Sequence, residues 1–381
     1  MKVLGFMTGT SLDGIDQAIL DTDGEAELAF GPWAETAMPP GVREVLENAV
    51  RAALTWPRGA AEPAVFEEAR RVLVGYHLEA ADKFLRHNCL KFQDIDLMGV
   101  HGQTVLHERP QRGNPAGRKG RTVQLFDGQA FADASGVPVV SDFRQADISA
   151  GGEGAPLAPV YHRALIQAAG LDLPVVVVNL GGVANITLIN PAMELTALDT
   201  GPANGLMDQW MRQHGRGDFD HEGRIAASGR VDEAAVAAYM GHPYFKASAP
   251  KSLDRYDFTL ERVQGMSLAD GMATLSAFTL QSLLAGVAAT GVAPQTVILA
   301  GGGRHNHYLV EQITARLAPA RVVVAETLGW RGGALEAEAF AYMAVRRLRG
   351  LPISFPGTTA VPEPLTGGVI SSPRRRAQSV A

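Results

Sequence analysis

The first candidate for chemistry is the run Thr8-Gly9-Thr10-Ser11-Leu12-Asp13-Gly14-Ile15-Asp16. Glycine carries no Cβ, so backbone at Gly9 and Gly14 can approach an anion and aim its N–H groups at phosphate oxygens. Thr10 and Ser11 add hydroxyl donors. Asp13 and Asp16 offer carboxylates to a hydrated magnesium ion, which prefers oxygen ligands and keeps several waters. The run is not a Walker A loop, because the closing Gly-Lys-Ser/Thr is absent. On composition alone, an ordinary polar hairpin turn is an equally good reading.

Two further glycine turns stand later in the chain. Asn179-Leu180-Gly181-Gly182 follows four consecutive valines, Val175 to Val178. Paired with the first loop, it suggests two hairpins closing on a polyphosphate from opposite sides. Gly301-Gly302-Gly303-Arg304-His305-Asn306 follows the apolar run Thr296 to Ala300, and backbone without side chains there leaves room for an adenine and its ribose. Either turn alone is a weak indication, since glycine runs after strands are common.

The elements that must position these turns alternate between strand-like and helix-like, which predicts an α/β architecture. Lys2–Met7 and Ile15–Leu20 read as strand, tight loop, strand. Val175–Val178 and Ala184–Ile189 repeat that pattern, which implies two related halves. Further strands are expected at Asp96–Val100, Val137–Ser141 and Arg321–Ala325. Helical spacing fills residues 41–90, broken at Pro57 and Pro63. Residues 268–289 suit a buried helix capped by Ser267 or Asp270. Ala334–Arg349 carries acids early and arginines late and stops at Gly350, as a helix aligned with its dipole would. The stretch Gln111–Arg121 reads as a surface loop, and the tail beyond Ser371, with Arg374-Arg375-Arg376, as solvated and frayed.

With 381 residues, 46% of them hydrophobic and 19% charged, the chain can bury the cores of two globular domains. A net charge of −6 gives no nucleic-acid footprint. The one cysteine, Cys89, is expected to be buried and inert. The apolar run at the N-terminus is shorter than the roughly 7–15 residues of a signal-peptide core. The valine run falls far short of the ~20 residues that span a bilayer. The expected location is the cytoplasm. No zinc-like spacing appears, and His305 and His307 read as surface residues.

The order of these parts, two strand–turn–strand units and then a glycine run before a late helix, resembles the actin-like ATPase fold. Between the two loops the resemblance narrows. His101-Gly102-Gln103-Thr104-Val105-Leu106-His107, Asp142-Phe143-Arg144-Gln145-Ala146-Asp147 and Ala150-Gly151-Gly152-Glu153-Gly154-Ala155-Pro156 follow in order. Asn179 to Thr187 and Asp199-Thr200-Gly201-Pro202-Ala203-Asn204 complete the series. Together with Gly9 to Asp16, these segments are similar to those of anhydro-N-acetylmuramic acid kinases over nearly the whole chain. Glu153 stands where that family usually has glutamine and Ala203 where it has glycine. The segment Lys251-Ser252-Leu253-Asp254-Arg255 keeps only its first two residues. These departures bear on fine substrate contacts.

The resemblance implies a two-lobed sugar kinase with ATP, magnesium and sugar in a cleft. One lobe would comprise residues 1–170 plus 331–381 and the other 171–330. It implies hydrolytic opening of the 1,6-anhydro ring with phosphorylation of O6, Asp147 being the base by motif position, and it implies a homodimer. His101 and Gln103 would face the sugar, Glu326 would stand near the substrate, and Asp199, like Asp13, would hold magnesium through water. Two other readings remain open from the sequence: a kinase of the same fold for another amino sugar or an unbridged hexose, and an actin-like or chaperone-like ATPase that switches conformation for a protein partner. The chaperone-like reading has no use for the His101–Gln103 and Asp147 segments and finds no residues for a client domain.

Overall fold

The computed structural model describes residues 1–110, 118–247, 249–253 and 257–374. Most of the Gln111–Arg121 loop, Asp254 and Arg255 of the divergent segment, and Arg375-Arg376 of the tail lie outside the described residues. The chain forms two compact units, Met1–Ala168 with Ala334–Ala381, and Ala169–Gly333.

In the first unit, buried apolar residues drive an antiparallel meander of β1 (Lys2–Thr8), β2 (Gly14–Thr22) and β3 (Leu28–Ala37). After α1 (Pro40–Leu54) and α2 (Val65–His87), β4 (Leu97–Glu108) returns parallel to β1. β5 (Arg121–Leu125) folds back on β4, and β6 (Val139–Ser141) follows α3 (Gly128–Ser135) to pair parallel with β4. Then come α4 (Gln145–Ser149) and α5 (Pro159–Ala168). The end of the chain supplies α11 (Leu335–Leu348), α12 (Pro356–Thr359) and β12 (Val369–Ser371). The strand order is β12-β6-β4-β1-β2-β3.

Glycine explains how α11 lies so close to this sheet. A Cβ at Gly5 would sit 1.9 Å from the Ala337 carbonyl oxygen, and one at Gly99 would sit 2.2 Å from that of Phe340. Real side chains cannot approach so closely, so both strands must be bare under the helix. Ala337, Ala341 and Ala344 are fully buried there, which accounts for the alanine-rich face.

The second unit repeats the plan. β7 (Val175–Leu180), β8 (Val183–Ile189) and β9 (Leu195–Pro202) form a meander. It is followed by α6 (Asn204–Gln213), α7 (Arg224–Ser228), α8 (Glu233–Met240) and α9 (Leu268–Ala289). β10 (Thr296–Ala300) pairs parallel with β7, and β11 (Arg321–Val324), after α10 (His307–Leu317), pairs parallel with β10. The order β11-β10-β7-β8-β9 matches β6-β4-β1-β2-β3 strand for strand. Two such α/β units are the architecture expected of an actin-like ATPase fold. Helix α9 is long and apolar enough to cross a membrane, and 67% of its most apolar stretch is buried in this unit's core. Ser267 caps it by accepting the Asp270 N–H at 3.1 Å.

Two expectations fail. Cys89 is exposed, not buried. It occupies the left-handed position just past α2, with φ at +57°, and the following Leu90 N–H closes back on the Leu85 carbonyl at 2.8 Å. That is a helix-ending motif usually built on glycine, and it turns the Cys89 side chain outward. The tail also does not fray at once. β12 pairs with β6, Gln129 donates to the Ser372 carbonyl, and Arg374 Nε donates to Asp133 at 2.8 Å. That pair holds the Asp133 carboxyl down at about 2.

Candidate functional site

Within the first unit the loop after β1 is strapped from three sides. Leu12 N–H donates to the Gly9 carbonyl at 3.3 Å, and Met38 N–H donates to that of Asp13 at 2.8 Å. The Gln103 amide donates to the Gly9 carbonyl at 3.1 Å, and the Thr8 hydroxyl to that of Gly102 at 2.9 Å. Gly102 has φ at +74°, where the β1–β4 register shifts. This bulge brings the His101–Gln103 segment against the Gly9 loop, two motifs far apart in the chain.

His101 is buried, and its Nε2 accepts the Arg144 Nε–H at 3.1 Å. Burial, and then the Arg144 charge, push its pKa well below the usual histidine range. The ring is therefore neutral with its proton on Nδ1, and that nitrogen has no partner among the described residues. Gln103 is fully buried, and its Oε1 is likewise unmatched. A buried polar atom without a protein partner would suit a polar group of a ligand.

Asp147 sits in the first turn of α4, 1% exposed. Its Oδ1 accepts the Gly154 N–H at 2.7 Å, and its Oδ2 accepts the Thr359 hydroxyl at 2.6 Å. A Cβ on Gly152 would fall 2.0 Å from Oδ1, so this position must lack a side chain for the loop to wrap the carboxylate. Arg144 joins the two groups, donating to the Gly154 carbonyl at 2.8 Å as well as to His101. Burial lowers the Arg144 pKa, and the charges of Glu336 and Asp147 oppose that. Glu153, at the position where glutamine was expected, is buried and sends its backbone N–H to the Thr359 carbonyl at 2.7 Å.

Near the Gly9 loop the acids repel one another. Burial, then Glu35, Glu336 and Asp13, raise the Asp16 carboxyl to about 7. Glu336 is also pushed up by desolvation, and the Arg144 charge opposes that.

In the second unit three segments converge. The carbonyls of Gly181 and Gly182 accept N–H bonds from Ala203, Asn204 and Gly205 at 2.9 to 3.1 Å. Ala203, fully buried, is accommodated at this helix start. The Asn204 amide donates to the Leu180 carbonyl at 2.9 Å. A Cβ on Gly301 would meet Asn179 Oδ1 at 2.3 Å, and one on Gly303 would meet the Leu180 side chain at 2.7 Å. Beside Gly302 and Gly303 opens a cavity of about 550 Å³, which Asn204, Asp208, Phe219 and His221 also line. The Phe219 and His221 rings stack at 6.0 Å and 28°, and Phe219 is 61% exposed. Burial raises Asp208 to about 6. His305 and His307 are exposed at this cavity.

Other sequence candidates are engaged elsewhere. Glu326 accepts Arg304 Nε at 2.8 Å, and Arg304 in turn donates to the Gly301 carbonyl at 2.8 Å. It thus stands behind the glycine turn. Asp199 lies across β8 from Asn179, and its Oδ2 accepts the Leu253 N–H at 2.7 Å. Arg144, Thr359, Glu336, Asp208 and Phe219 were not singled out from sequence. Arg144 stood inside a quoted motif and was the one within reach; the others have isolated, unremarkable neighbours.

Residues 1–373 match the family model described as anhydro-N-acetylmuramic acid kinase. The Caulobacter vibrioides protein of that name is 54% identical over 97% of this chain and 98% of its own. The Phenylobacterium zucineum protein of that name is 52% identical over 98% of this chain and 100% of its own.

Proposed function

The chain belongs to the anhydro-N-acetylmuramic acid kinase family, and on that premise we propose how it acts and where. It uses ATP and water to convert 1,6-anhydro-N-acetylmuramic acid to N-acetylmuramic acid 6-phosphate and ADP, recycling cell-wall sugar in the cytoplasm. Asp147 takes a proton from the water that attacks the anomeric carbon. The bond from that carbon to O6 breaks, and O6 attacks the γ-phosphorus as ADP departs. Capture of O6 by the phosphoryl group lessens the need for a separate acid. Water is a poor nucleophile at neutral pH, and a positioned base contributes about 10²- to 10⁴-fold.

The observation that carries this reading is the clamp on Asp147. Each carboxylate oxygen receives one hydrogen bond from the protein and keeps a second lone pair for the water. His101 Nδ1–H and Gln103 Oε1 would meet the sugar's hydroxyl or acetamido groups. The Gly9–Asp16 loop and the Asn179–Gly182 turn would bind the phosphates. The Gly301–Gly303 turn and its cavity would take the nucleoside, with Phe219 and His221 against the base.

Magnesium fits the residues of the first unit. It needs only one or two carboxylates beside substrate phosphates. Burial lifts Asp16 and the neighbouring acids add to it, and a divalent cation would relieve that repulsion. Asp13 and Asp16 would hold it, with Asp199 reaching it through water. When bound, the ion would neutralise charge on the phosphoryl oxygens.

Asp147→Asn should abolish turnover of the anhydro sugar while ATP binding, followed by calorimetry, stays nearly intact. Unchanged turnover would remove Asp147 from the mechanism.

A further inference from the structure

The group holding Asp147 Oδ2 comes from the far end of the chain. Thr359, the last residue of α12, is fully buried and donates its hydroxyl to that oxygen across 212 residues of sequence. Its backbone carbonyl also accepts the Glu153 N–H at 2.7 Å. One residue thus grips both the carboxylate and the loop that binds the carboxylate's other oxygen. Gly152 makes the approach possible: a Cβ there would collide with Asp147 Oδ1 at 2.0 Å and with Val361 Cγ1 at 2.7 Å.

We propose that Thr359 is a positioning residue for the reaction, its hydroxyl orienting the Asp147 carboxylate toward the attacking water. The inference rests on Asp147 being the base. A hydrogen bond from a hydroxyl to an ionised oxygen is short and strong, and it fixes which lone pair remains available. The Gly154 N–H alone would leave the carboxylate free to rotate about that contact. The bond from Thr359 removes that freedom.

The experiment compares Thr359→Val, which keeps the shape and deletes the donor, with Thr359→Ser, which restores the donor without the methyl group. Thr359→Val should lower kcat about 10- to 100-fold, the range expected when a hydrogen bond to a charged group is lost. KM for sugar and ATP should change little, because the lost donor touches the base and not the substrates. Thr359→Ser should recover most of the rate. A Thr359→Val enzyme with wild-type kcat would overturn the proposal, as would a loss in KM rather than kcat or a serine variant as impaired as the valine one. If Thr359→Val does not fold, Thr359→Ala against Thr359→Ser gives the same contrast. Asp147→Asn is run in parallel: full activity there would sink the base assignment itself, whereas an inactive Asp147→Asn beside a normal Thr359→Val would sink only the role given to Thr359.

Discussion

The turn between β1 and β2 and the turn between β7 and β8 hold the same place in two sheets of identical strand order, yet they are built differently. The first carries acids, Asp13 and Asp16, and burial, then Glu35, Glu336 and Asp13, raise Asp16 to about 7. The second is bound by neutral groups: its glycine carbonyls take N–H bonds from the start of α6, and Asn179 lies against Gly301. A repeated frame thus settles where a turn will be and leaves its chemistry open. In this chain one turn stores negative charge suited to a cation, and the other uses close backbone packing beside a nucleoside-sized cavity.

The sharpest way to break that comparison is to burden one glycine in each unit. Gly301 has φ at +74° and ψ at 173°, a region that essentially only glycine occupies. An added Cβ would also strike Asn179 Oδ1 at 2.3 Å. Gly301→Ala should therefore cost about 1–3 kcal/mol in backbone strain alone and lower the melting temperature by several degrees. A Cβ at Gly9 would meet nothing nearer than Ser11 Oγ at 3.2 Å, so Gly9→Ala should leave the melting temperature almost unchanged. Equal losses by scanning calorimetry would erase the distinction between the turn after β10, packed against Asn179 and Leu180, and the open Gly9 loop.

A smaller effect should come from the acids. The folded-state pKa of Asp16 is raised from 3.8 to about 7, so the native state binds a proton more readily than the unfolded chain. Its contribution to stability is then lost as pH rises from about 4 to about 7. Asp16→Asn should melt higher than the parent at pH 8 and level with it at pH 4. Added magnesium should raise the parent's melting temperature at pH 8 more than the variant's. A difference between the two proteins that stays flat across this range would show that the acids do not repel one another.

Much of the frame was legible in the sequence because long apolar runs bounded by glycine leave few alternatives. β1, β2, β7, β8 and α9 fall where those runs predict. β3 was missed because it is an edge strand with Phe30 and Trp33 about 40% exposed, so neither face shows clean alternation. β12 is three residues long and takes its identity from pairing with β6, which no local pattern reveals. The site shows the same division. His101, Gln103 and Asp147 lie in dense motifs, whereas Thr359 reaches Asp147 only through the fold, from a segment whose own residues suggest nothing but a turn. Cys89 was misread because free cysteines are among the most often buried residues, whereas the left-handed backbone past α2 turned this one out.

The central claim, that water attacks the anomeric carbon from the face opposite O6, is tested most directly by the anomer formed first. The bridge oxygen lies on the ring face that carries C6, so attack from the opposite face inverts the centre. Proton NMR of the reaction in its first minutes should show the α anomer of the 6-phosphate alone, with the β anomer growing in only as the sugar mutarotates. A first-formed β anomer would mean that O6 leaves without inversion, and an aspartate acting on water behind the ring could not be the base.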